Sequence, residues 1–122
     1  MRAVEGTLRN AETGLRYALA ERINRGEEKR IAELVGSNPV SLLAKEPDGY
    51  VGEVVAERQV PPGSWAYDRN RRELCYRPRL SGELQLEGGE QLLRWRIEAA
   101  DDTTAGPPTW ARLVPVSRYR WF

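Results

Sequence analysis

Histidine is absent from this chain of 122 residues, which removes the commonest general base, the commonest metal ligand and every His-containing catalytic triad. An enzyme built on this sequence needs another chemistry. Cys75 is the only cysteine, so there is no internal disulfide and no cysteine-rich zinc site. Leu74 and Tyr76 beside it read as strand, where a lone cysteine is a small packed side chain rather than a nucleophile. Lysine is scarce too: Lys29 and Lys45 stand alone, and arginine fills every other basic position. Charged residues make up 30% of the chain but nearly cancel at net +1, so no general field favours nucleic acid or an anionic membrane. No apolar run approaches the roughly 20 residues that cross a bilayer, and no signal peptide is recognisable, which predicts a soluble form. The length fits one domain whose core folds without disulfides or a metal.

What is present starts with an apolar stripe. Val4, Leu8, Ala11, Leu15, Ala18, Leu19 and Ile23 follow steps of three and four between polar residues, the pattern of one buried helical face running to about Gly26. No N-cap with a capping-box acid precedes Val4, so the stripe reads as a helix entered partway along its length. A Glu/Lys/Arg-rich turn leads to Ile31, Ala32, Leu34 and Val35, ended by Gly36. Ser37-Asn38-Pro39 then restarts a short helical turn, because Asn or Ser caps and proline suits the first turn. Pro47-Asp48-Gly49 closes it.

From residue 48 the period changes to two. Trp65 and Tyr67 alternate with Ala66 and Asp68, and Leu74 and Tyr76 with Cys75 and Arg77, around a polar turn at 68–72; this predicts a β-hairpin. A second hairpin is expected between Leu84 with Leu86 and the run Leu93, Trp95, Ile97, Ala99, joined across Gly88-Gly89, with Arg94, Arg96 and Glu98 on the other face. Residues 101–108 read as a loop, and a last strand spans Trp110 to Val116, with Pro115 arguing for an edge or an end. The expectation is one α+β domain: a helical part at 1–47 laid across an antiparallel sheet of hairpins at 48–122, with Trp65, Tyr67, Tyr76 and Trp95 in the shared core.

In this order the elements resemble the type IV pilins and the pseudopilins of type II secretion systems, particularly their small minor members. The residues that carry the resemblance are the helix opening, Gly36-Ser37-Asn38-Pro39 with Leu42-Leu43, Tyr50-Val51-Gly52-Glu53, Pro62-Gly63-Ser64-Trp65-Ala66-Tyr67-Asp68 and Leu74-Cys75-Tyr76-Arg77. The prepilin leader, its cleavage site and the apolar half-helix of that family do not appear, and Glu5 is not the family's glutamate, because its neighbours form no continuous apolar run. The resemblance implies a pilin-like soluble domain and a non-enzymatic filament subunit without a cofactor. It further implies inner-membrane anchoring through the missing segment, a periplasmic head, and other subunits and the assembly machinery as partners. Candidate partner loops are those with Pro62, with Arg69 and Arg71, and with Asp101 and Asp102; ordinary connecting loops read the same way.

Two other readings compete. Arg69, Arg71, Arg72, Arg94, Arg96, Arg118 and Arg120 lie near Trp95, Tyr119 and Trp121 in sequence, a mixture that can hold single-stranded nucleic acid on a sheet face. Glu53, Asp68, Asp101 and Asp102 could form a hydrolytic pair or a calcium site, although no EF-hand-like ligand series is present. The last six residues either extend the final strand or offer an aromatic patch.

Overall fold

The apolar stripe winds into α1, Arg2–Asn24, in the computed structural model, which describes residues 2–79, 84–86, 92–99, 110–116 and 119–121. Val4, Ala11, Leu15 and Leu19 are buried, while Leu8 and Ala18 are half-buried. Ile23 departs from the expected stripe, being 40% exposed. The reason lies in how the helix stops. Gly26, at φ +69°, takes the left-handed position after the last turn; its N–H bonds to the Ile23 carbonyl, and that of Glu27 to the Arg22 carbonyl. This is a Schellman stop. It throws the chain back so that Ile31 and Leu34, not Ile23, pack beside Leu15 and Leu19.

The returning segment is two 3-10 turns, Glu28–Leu34 and Pro39–Leu42. Asn38 caps the second: its Oδ1 accepts from the Val40 N–H at 3.0 Å and its Nδ2 donates to the Tyr50 hydroxyl at 2.9 Å, the role its place before proline predicts. This turn presses on α1 at Gly14. A Cβ there would sit 2.1 Å from the Leu42 carbonyl oxygen.

Seven strands follow among the described residues: β1 Tyr50–Val54, β2 Ser64–Asp68, β3 Glu73–Arg77, β4 Leu84–Leu86, β5 Leu93–Ala99, β6 Ala111–Pro115 and β7 Tyr119–Trp121. Five form one sheet in the order β1-β2-β3-β5-β6, and β4 pairs with β7 apart from it. The β2–β3 hairpin holds the register Trp65↔Tyr76 and Tyr67↔Leu74, placing every expected core aromatic of that hairpin on one face. Two expectations are corrected. The sheet is mixed, because β1 enters parallel to β2 and the chain between them, Val55–Gly63, crosses over instead of turning as a hairpin. The β4–β5 hairpin does not form: β5 lies between β3 and β6, and β4 pairs with β7. β5 is buried on both faces at Leu93, Arg94, Trp95 and Ile97, and its two edges are paired by β3 and β6, the position of a central strand. Gly88 and Gly89 lie outside the described residues. Pro115 ends the edge strand β6, where a missing N–H is tolerated.

α1 covers one sheet face. Beneath it Trp65 contacts Tyr76 and Trp95, with ring centroids 4.8 and 5.6 Å apart, amid Val4, Val40, Leu74 and Leu93. The Tyr67 hydroxyl donates to the Gly36 carbonyl and so ties this face to the returning segment. On the opposite face Ala66, Cys75 and Leu92 are covered by Val54 at the end of β1 and Val60 from the crossover.

Candidate functional site

The β2–β3 register sets Asp68 directly opposite Glu73, two like charges that repel across a strand pair. Asp68 is held there partly by its turn, since its Oδ1 accepts the N–H groups of Asn70 and Arg71 at 3.0 and 3.1 Å. Arg94, opposite Cys75 on β5, resolves the conflict. Its Nη1 donates to Asp68 Oδ2 and to Glu73 Oε1, both at 3.2 Å, and its Nη2 reaches Glu57 Oε1 at 2.7 Å. Cys75 Sγ lies 3.2 Å from the same Nη1. Arg96 takes the other oxygen of Glu73. Arg94, Asp68 and Glu73 are 1%, 5% and 2% exposed, so this is an ionic knot inside the domain. The crossover closes over it: the Arg77 side chain donates to the carbonyls of Glu57 and Val60.

The chemistry open to this knot is narrow. Burial pushes the Cys75 thiol up to about 11, against the opposing charge of Arg94, so the sulfur is a neutral thiol rather than a nucleophile. Burial alone would lower the pKa of Arg94, but the Cys75 sulfur, once ionised at high pH, and the hydrogen bonds of Glu57 and Asp68 outweigh it, and the net shift is upward. The guanidinium stays charged. Arg94 Nε and Arg96 Nε find no acceptor among the described residues, a cost that fits a device for fixing strand register better than one for adding stability.

Most residues singled out from sequence fall elsewhere. Trp65, Tyr67, Tyr76 and Trp95 are buried. Arg69 and Arg71 are exposed on the β2–β3 turn, each 4.0 Å from a carboxylate, Glu53 and Glu57 respectively. Pro62 is exposed in the crossover. Asp101, Asp102 and Arg118 lie outside the described residues. The arginine and aromatic residues are not gathered on one open face: Trp95 is in the core under α1, Arg94 is inside the knot, and Arg96 is held by Glu73 and, at 3.7 Å, by Glu98. Glu53 and Asp68 do not converge either, one turning to Arg69 and the other to Arg94. Among the described residues, no group of His, Cys, Asp or Glu could hold a metal ion.

Sequence reasoning missed the burial of Arg94. A signal was present, because Asp68 and Glu73 flank the turn symmetrically and a hairpin must bring them together, which demands a cation between them.

A groove of about 340 Å³ lies between α1 and the edge strand β6. Glu12, Leu15 and Arg16 line it from the helix, and Trp110, Arg112 and Leu113 from the strand. Trp110 is 40% exposed. No helix among the described residues is long and apolar enough to cross a membrane. No protein-family model, no curated protein and no solved structure matches this chain.

Proposed function

We propose that this domain is a non-enzymatic structural subunit of a type IV pilus or a type II secretion pseudopilus, assembling through its N-terminal helix and the surfaces of its head. The observation that carries the reading is the placement of α1. It docks by one apolar face on the sheet and is followed by a capped Asn-Pro turn and then strands. A helix held this way couples a rigid rod to a compact head, which is what a filament subunit needs. The knot around Arg94 supports the same reading, since its buried groups are spent on one another. The parallel entry of β1 sets this head apart from an all-hairpin one. On this reading an upstream apolar segment anchors the subunit in the inner membrane with the head in the periplasm, and the partners are other pilin or pseudopilin subunits and the assembly machinery.

The nucleic-acid alternative is weaker, because Trp95 offers no stacking face and Arg94 no free guanidinium. The test is the intact mass of the native protein from membrane and sheared-surface fractions. A form heavier by a spanning segment of about 20 to 30 apolar residues is expected. A native protein that starts at Met1 and occurs only in the cytosol overturns the proposal.

A further inference from the structure

The flank of α1 beside β6 carries a charge pattern that the domain itself leaves unused. Glu5, Arg9, Glu12 and Arg16 follow one another at steps of four, three and four, so they stand in a single strip along the helix. All four are exposed. None has an ion pair among the described residues, although Glu5 with Arg9 and Glu12 with Arg16 have the order and spacing that pair best within a helix. The other flank is closed by Leu42 against Gly14. Glu12 and Arg16 line the groove together with Trp110 and Leu113, which places the strip above the outer edge of β6.

That edge is itself unpaired among the described residues. The Val116 N–H donates inward to the Arg94 carbonyl. By alternation the N–H and C=O of Ala111 and Leu113, and the C=O of Pro115, point outward.

We propose that this face joins two copies of the domain across a two-fold axis, β6 against β6 antiparallel, centred on Leu113. About that centre the two Leu113 residues exchange N–H and C=O, and each Ala111 N–H meets the Pro115 carbonyl of the second copy. The proline removes only the donor that would have faced Ala111. The same register sets Trp110 against Val116, both 40% exposed in the single domain. Leu113 packs beneath α1 between the Leu8 and Leu15 clusters, so the axis passes beside the helix near the midpoint of the charged strip. The two helices run antiparallel there, and the strip is complementary to its own reverse: Glu5 meets Arg16, Arg9 meets Glu12, and each pairing occurs twice. Backbone, apolar ends and charge strip thus select the same partner, a second copy, and the same axis.

The pair does not rest on the proposed function. Its antiparallel helices make it a state of the free domain that excludes assembly with all helices pointing one way. Sedimentation equilibrium over a concentration series is expected to move from the 13.9 kDa chain to twice that mass, less readily at high salt. Arg9→Glu sets like charges against Glu12 of the second copy and is expected to leave a monomer; Arg9→Glu with Glu12→Arg restores the dimer. Both positions are exposed, and thermal melts by circular dichroism establish that each variant is folded. Hydrogen exchange at the Leu113 amide is expected to slow as concentration rises. A monomer at every concentration, a dimer indifferent to Arg9→Glu, or a double variant that stays monomeric overturns the proposal, and none of these results bears on the native-mass test.

Discussion

Trp95 and Arg94 are neighbours on β5, and they face two different solutions to the same problem of burial. Under α1, Trp95 joins Trp65, Tyr76 and Leu93 in a core where each contact is non-directional and losses are shared. On the far face, Arg94 satisfies Asp68, Glu73 and Glu57 at once, and removing it leaves Asp68 with no cation among the described residues and Glu73 with Arg96 alone. The first arrangement holds the domain together by area. The second holds it by a set of pairings that must all be present, which is how a strand is told which neighbour and which register to accept.

Mutation of the two neighbours separates these cases. Trp95→Ala is expected to lose about 3–5 kcal/mol in urea unfolding through the cavity it leaves. Arg94→Met is expected to lose about 3–5 kcal/mol although it leaves no large cavity, because the buried carboxylate of Asp68 is left without its cation and that of Glu73 keeps only Arg96. The comparison sharpens when the charges go together. Arg94→Met combined with Glu73→Leu and Asp68→Asn, the last keeping the turn cap, is expected to recover most of that loss; a triple variant no better than Arg94→Met would show that the knot contributes net stability. Gly14→Ala comes next, at about 1–3 kcal/mol. Alanine is the better helix former by about 1 kcal/mol, but here its Cβ meets a backbone carbonyl that cannot swing aside.

The two faces also differ with pH. The thiol of Cys75 has a folded value of about 11 against an ordinary 9.0. Its neutral form is thus favoured by folding, so this contribution is complete below about 9 and is lost as pH rises from there to about 11. Subtracting the profile of Cys75→Ala isolates it from Tyr50 and Tyr67, which burial also shifts upward. The smallest effect is Tyr67→Phe, which deletes the bond to the Gly36 carbonyl and is expected to lose about 1 kcal/mol in the same unfolding assay.

The helix-side face was largely legible from the chain. The three-and-four stripe of α1, the Asn-Pro restart and the two-residue alternation of β2 and β3 are local signals, each carried by residues close in sequence. Ile23 misled because a stripe gives no notice that a Schellman turn will bring Ile31 into its place. The far face was not legible for a related reason. Alternation placed Arg94, Arg96 and Glu98 away from the helix, and so they are, but at Arg94 solvent is excluded beneath Val54 and Val60, whose arrival depends on a parallel strand pairing that leaves no periodic trace. Tyr50–Val54 contains Gly52 at φ +99° and a register shift, and so does not alternate cleanly. β5 misled for want of context: a strand flanked by possible partners on both sides does not say which ones it takes.

The crossover Val55–Gly63 also divides the domain in time. The β2–β3 hairpin closes locally, whereas β1 must wait for a finished β2, and Glu57 has only the exposed Arg71 at 4.0 Å until Arg94, 37 residues later, has reached the sheet. Non-local closures of this kind come late in folding, and contacts absent from the transition state govern how fast a protein comes apart. The lifetime of the folded domain is therefore expected to be set at the seam where Glu57 meets Arg94, not under the helix, an ordering that faster unfolding of Glu57→Gln with unchanged refolding would check.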